Sequence, residues 1–112
     1  MALSKNNPTT QKSWKSLEKI YQQENDLKIL DYLKNEPNRV KEFSVSLNNF
    51  HVDFSKNRIS KKALNHLIDL CNETDLKKNI NRYFDGEKIN ETEKRPVLHT
   101  ALRSNKNKST II

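Results

Sequence analysis

The sequence predicts a mainly α chain interrupted by one short β-hairpin, an α+β segment. Three observations carry that expectation. Apolar residues recur at helical spacing from Trp14 to Leu33 and again from Ala63 to Phe84, the repeat of helices with one buried face. Between these stretches the period changes to two: Phe43, Val45 and Leu47 alternate with polar residues, and Phe50, Val52 and Phe54 do so again after Asn48-Asn49. Finally, the only glycine, Gly86, stands where a left-handed residue would end a helix.

Taken in order, Trp14, Leu17, Ile20 and Tyr21 predict an amphipathic helix over Thr10 to Gln23. Leu27, Leu30 and Leu33 predict a second, stopped by Asn35-Glu36-Pro37, and "NRVKEF" adds one more turn. The hairpin follows, and two strands alone are marginal in water, so they need a partner surface. Ser60 is a good cap by side-chain acceptance of an exposed N–H. Ala63, Leu64, Leu67, Ile68 and Cys71 then mark a helix from about Lys61 to Asn72. Thr74 is expected to cap the next, lined by Leu76, Ile80, Tyr83 and Phe84. Pro96 suits the first turn of a final helix, with Val97, Leu98, Ala101 and Leu102 on one side. The expected organisation is a helical segment over 1–42, the hairpin and its connection over 43–59, a second helical segment over 60–104 and a polar tail over 105–112 that ends as if cut.

With 112 residues the chain has the length of one domain. Only 33% of them are apolar, against roughly 45–50% in soluble domains, and the mean hydropathy is -0.97. A weak independent core is expected. The net charge of +7 would favour a polyanion, but the basic residues are scattered along the chain and sixteen of the 21 are lysine. A nucleic-acid footprint clusters on one face, with aromatic or arginine contacts, so the charge is read as solvation. One cysteine, Cys71, allows no internal disulfide and suits a reducing compartment. With neither a signal peptide nor a run of roughly 20 apolar residues, a soluble, cytoplasmic protein without membrane partners is expected.

The search for chemistry yields little. Asp85, Glu87, Glu91 and Glu93 could form an acid–base pair, but they fall in a polar loop, and the last two precede a helix start where negative charge is favoured. His51, His66, His99 and Cys71 are the imidazole and thiol ligands. None has zinc-type spacing, and His66 and Cys71, on one helix, lie about 140° apart around its axis. Cys71 is read as a small core residue and His51 as an outward strand position. No nucleophile–base arrangement is legible. His99 and Arg103, four apart, could face a common anion; a buried, hydrogen-bonded histidine and an arginine serving helix carbonyls is the alternative reading.

Two stretches carry a resemblance. "GEKINETEKRPVLHTALR", Gly86 to Arg103, resembles the G-E-K-I-N, T-E and V-L-H-T-A-L-R series near the amino terminus of the glucose-6-phosphate isomerase family. "VDFSKNRIS", Val52 to Ser60, is similar to that family's D-Y-S-K-N-R segment, with Phe54 for the usual tyrosine. The match is strong from Phe43 to Arg103 and general in character over the first forty residues.

The resemblance implies the amino-terminal part of an α/β two-domain sugar isomerase that interconverts glucose 6-phosphate and fructose 6-phosphate in glycolysis and gluconeogenesis. It implies a sugar phosphate substrate, a homodimer at full length, and no metal or nucleotide cofactor. The family's phosphate loop, its glutamate base, its ring-opening histidine and its later lysine lie downstream of the matching stretch. No catalytic, cofactor-binding or metal residue is therefore assigned in this chain, and His99 does not take the ring-opening role. The motif around His99 is expected to help build a wall near the dimer and active-site region. The isolated chain is expected to be an inactive fragment. The alternative is a small basic helical module that binds nucleic acid or another protein.

Overall fold

A computed structural model describes residues 6–103. Asn7 accepts the Thr9 N–H at 3.0 Å and starts a 3-10 turn, Pro8–Thr10. Extended Gln11 then resets the backbone for α1, Lys12–Glu24. This helix packs on α4, Lys61–Glu73, and the buried Ile20 and Ala63 line the cleft between them. The Glu73 carboxylate, in the last residue of α4, accepts the Ser13 N–H at 3.1 Å. A carboxylate on the unpaired N–H groups of a helix start is favourable by charge and by hydrogen bonding, and it ties the beginning of α1 to the end of α4.

The short helices α2, Ile29–Asn35, and α3, Arg39–Glu42, follow. Asp31 accepts the Lys28 N–H at 2.8 Å at the start of α2. Strands β1, Ser44–Leu47, and β2, Phe50–Asp53, pair antiparallel with Val45 opposite Val52 and Leu47 opposite Phe50. Asn48 takes the turn's positive φ of 52°, which a short polar side chain tolerates. Phe54 N–H bonds to the Phe43 carbonyl at 2.9 Å, so pairing reaches the outermost residues of the predicted alternation. Their rings meet edge to face at 5.5 Å.

Ser60 caps α4 as the sequence predicts, its Oγ accepting the Ala63 N–H at 3.0 Å. Helix α5 spans Leu76–Phe84. Gly86, at φ 73°, ends it in a Schellman turn: the Glu87 N–H reaches the Arg82 carbonyl at 3.1 Å and the Gly86 N–H reaches that of Tyr83 at 3.3 Å.

Three expectations are corrected. Thr74 does not cap α5. Its hydroxyl turns back to the α4 carbonyls of Leu70 and Cys71, at 2.8 and 3.3 Å, and Asp75, at φ 57°, starts α5. The final helix from Pro96 is replaced by a turn and a 3-10 turn, Ala101–Arg103. Leu102 there is 87% exposed, and so short a helix without a packed face does not repay the cost of nucleation. His99 is accordingly exposed rather than buried. The expected end of that helix at Ser104, the polar tail over 105–112 and the first five residues lie outside the described residues.

The radius of gyration, 18.5 Å, exceeds the roughly 13 Å of a compact 100-residue domain. Apolar side chains buried among the described residues are Ile20, Tyr32, Phe43 and Ala63, while Arg39, Ser55 and Arg82 are buried polar ones. Helices α1, α4 and α5 carry their predicted apolar stripes, but Ile68, Leu76, Ile80 and Phe84 stay exposed.

Candidate functional site

Outside the helices, the turn from Asp53 to Ser60 is built from the stretch D-F-S-K-N-R-I-S. Its backbone bends back at Asn57, whose N–H donates to the Phe54 carbonyl at 3.0 Å. The Ile59 N–H then donates to the Asn57 carbonyl at 2.9 Å. These bends leave the carbonyls of Ser55 and Ile59 in need of donors, while that of Asn57 already accepts the Ile59 N–H. Arg39 reaches all three. Its Nε donates to Ser55 O at 2.6 Å, and its Nη2 donates to Asn57 O and Ile59 O at 2.8 and 2.9 Å. Nη1 pairs with the Glu36 carboxylate at 2.6 Å.

This guanidinium is 1% exposed and lies 4.2 Å from the Phe43 ring centroid and 4.8 Å from that of Tyr32. A planar five-donor fork matches such a set of acceptors, and aromatic faces attract the cation that remains. A single helical turn thereby fixes a loop that would otherwise carry a buried, unmet carbonyl at Ser55.

At the mouth of the loop the Asp53 carboxylate is held below the usual carboxylate range by the Ser55 hydroxyl and by the Ser55 N–H, the latter at 2.8 Å. Lys56 and Arg58 project outward, and Arg58 donates to the Asn25 carbonyl after α1. Beside it lies a cleft of about 450 Å³ lined by Leu17, Tyr21, Glu24, Tyr32, Arg58 and Ile59. Burial, and then the Glu24 carboxylate 3.4 Å away, push the Tyr32 hydroxyl above its ordinary pKa. A hydroxyl kept neutral and an arginine held by a carbonyl are positioning groups. Neither is poised to move a proton at neutral pH.

The loop after α5 holds the carboxylates considered for acid–base work. Glu87 accepts from Nε of the buried Arg82 at 2.7 Å. Glu93 accepts from Arg95 at 2.6 Å and from the Asn90 side chain at 3.0 Å, while the Asn90 side chain accepts the Glu93 N–H at 3.1 Å. Asn90 and Arg95 bridge through their backbones, with Lys94 between them at φ 54°. Glu87 thus ties the loop to α5 and Glu93 braces the turn between Asn90 and Arg95, and Asp85 and Glu91 are exposed. The expected placement of Glu91 and Glu93 before a helix is corrected by the absence of that helix among the described residues.

The histidines are dispersed. His51 is exposed on the hairpin, where it bonds Ser46 at 2.7 Å; His66 lies 3.6 Å from Asp69; Cys71 is half-buried. Among the described residues no three metal-ligating side chains converge, and no helix is long and apolar enough to cross a membrane. His99 and Arg103 are both exposed and belong to the terminal turns rather than to one helix face.

Sequence reasoning missed Arg39 and Arg82. Arginine is seldom fully buried, and a cation in a polar run carries no mark of the carbonyls it will meet.

The family model for phosphoglucose isomerase matches residues 53–112, beginning at the first residue of the Arg39-bound turn. The chain belongs to the phosphoglucose isomerase family. A glucose-6-phosphate isomerase of Christiangramia forsetii is 48% identical over 100 residues, which cover 89% of this chain and 18% of that relative. Another, of Blochmanniella floridana, is 49% identical over 102 residues, covering 90% of this chain and again 18% of the relative. The chain therefore spans less than a fifth of the length of these curated relatives. Their identity also extends the likeness into the first forty residues, beyond the strong match from Phe43 to Arg103. In this phosphoglucose isomerase segment, the turn at Asp53–Ser60 and the loop after Gly86 are structural motifs held by arginines.

Proposed function

We propose that this chain is the amino-terminal part of an isomerase that interconverts glucose 6-phosphate and fructose 6-phosphate in glycolysis and gluconeogenesis. The remaining length supplies the catalytic groups and completes a two-domain α/β fold acting as a homodimer. The identity of 48% to a relative named glucose-6-phosphate isomerase carries the reading. The geometry is in keeping with it: Glu87 and Glu93 are engaged by Arg82 and Arg95, and the serine–histidine hydrogen bond of Ser46 and His51 stands on the exposed hairpin. The chain alone is a structural part and does not turn over sugar phosphate.

The test joins this chain to the remaining length of the Christiangramia forsetii isomerase and compares the chimera with the isolated 112 residues in a coupled assay of glucose 6-phosphate conversion. Both are prepared from a host lacking its own isomerase. Turnover by the chimera alone is expected. Activity in the isolated chain would place the chemistry among residues assigned here to structure, and an inactive, folded chimera would argue against the isomerase reading.

A further inference from the structure

The cleft beside the Asp53–Ser60 turn grades from apolar to charged. Ser13 meets Glu73 at one end of the α1–α4 pair, and Ile20 shares the cleft with Ala63 toward the other. The two helices therefore run antiparallel, and the end of α1 lies by the start of α4. Leu17, Ile20, Tyr21, Ala63 and Leu67 form the walls. At the end of α1 the lining becomes polar. Glu24 is the last residue of that helix, the buried Tyr32 hydroxyl bonds its carboxylate at 3.4 Å, and Arg58 is anchored by the Asn25 carbonyl. Two opposite charges thus face one cavity of about 450 Å³. Among the described residues neither Glu24 nor Arg58 belongs to an ion pair. A concave, mostly apolar site with a few placed polar groups is the usual form of a small-molecule site.

We propose that this cleft binds a free α-amino acid with a large apolar side chain. An ammonium and a carboxylate on one carbon answer Glu24 and Arg58 together, while the side chain lies along Leu17, Ile20 and Leu67. The ammonium gains further from the carbonyl end of α1, where cations are favoured. Arg58 uses one of its five donors on Asn25, so its fork is held in place with N–H groups left for a carboxylate. The Tyr32 hydroxyl, kept neutral by burial and by Glu24, adds a polar contact without adding charge. An internal peptide segment is a poorer occupant. Its amino and carboxyl groups are tied up in amides, and it would cover both charges without answering them. A purely apolar ligand fails for the same reason. The bound amino acid would link the end of α1 to the turn that Arg39 holds.

The test is saturation-transfer NMR on the full-length chimera with three probes: L-phenylalanine, 3-phenylpropionate, which lacks the ammonium, and 2-phenylethylamine, which lacks the carboxylate. L-Phenylalanine is expected to half-saturate at about 1 mM or below. Each analogue should bind at least about fivefold more weakly, since each leaves one charge unanswered. Glu24→Gln should weaken L-phenylalanine at least about fivefold and leave 3-phenylpropionate unchanged, and Arg58→Met should do the same with 2-phenylethylamine as the unchanged probe. The analogue series needs no variant, so a substitution that fails to fold does not remove the test. Half-saturation by L-phenylalanine above about 1 mM would overturn the proposal in favour of a cleft filled by the rest of the polypeptide. Equal affinity for the three probes would overturn it in favour of a merely apolar site. Folded variants that bind L-phenylalanine as the parent does would place the binding elsewhere and overturn it too. Turnover is read separately, so an inactive chimera that passes these tests would refute the isomerase reading and leave the amino-acid site standing.

Discussion

Arg39 Nε donates to the Ser55 carbonyl oxygen at 2.6 Å across a sequence separation of sixteen residues. That bond joins the single-turn helix α3 to the turn after the hairpin. With the bonds to Asn57 O and Ile59 O, it makes one buried side chain the centre of the segment between α2 and α4.

Arg39→Ala is expected to destabilise the chain by roughly 3–5 kcal/mol, because it strands the partly buried Glu36 carboxylate and leaves the buried Ser55 carbonyl without a donor. Arg39→Lys keeps the charge but loses the planar fork, and it is expected to lose most of that stability too. Urea unfolding followed by the fluorescence of the single tryptophan, Trp14, measures both. Midpoints equal to wild type would show that the cage is dispensable.

Gly86→Ala is expected to cost about 1–2 kcal/mol, since a Cβ at φ 73° meets the following carbonyl. Gly86→Asn should cost less, because asparagine tolerates the left-handed region. Amide exchange at Glu87, whose N–H closes the Schellman turn on Arg82, is the local readout. An alanine variant with native protection at that amide would refute the assignment of Gly86 as an obligatory helix stop.

The lowered Asp53 pKa gives a pH dependence of defined sign. A carboxyl whose pKa is depressed on folding stabilises the native state above its unfolded value, and that contribution is lost as pH falls through the depressed value. The Asp53 carboxyl carbon shift is therefore expected to titrate below the ordinary aspartate range. In Asp53→Ala the acid limb of the stability curve should flatten. An Asp53 midpoint at or above the ordinary value would contradict the hydrogen bonds from Ser55.

Much of the fold is legible in the order of residues. The switch from helical spacing to alternation at Phe43 places the hairpin, Ser60 places the start of α4, and Gly86 places the end of α5, because each acts through its own backbone or its immediate neighbours. Thr74 shows where local reasoning fails. Its hydroxyl had a choice between capping forward and bonding back to Leu70, and the left-handed Asp75 settled it. The helix expected after Pro96 fails for a related reason: Val97, Leu98 and Leu102 have the spacing, but spacing becomes helix only where a surface receives the stripe.

The sequence by itself determined the element types as far as Gly86 and, through two motifs, the family, since these depend on steric preferences and on identities that can be compared residue by residue. Only the tertiary structure decided what holds the segment together. Arg39 reaches Ser55, Asn57 and Ile59, Glu73 reaches Ser13 across the α1–α4 pair, and Arg82 takes Glu87 from the carboxylates weighed for acid–base chemistry. Long polar side chains carry no periodicity that names their partners. What fixes them is the set of carbonyls and carboxylates left unpaired when the chain has folded around them.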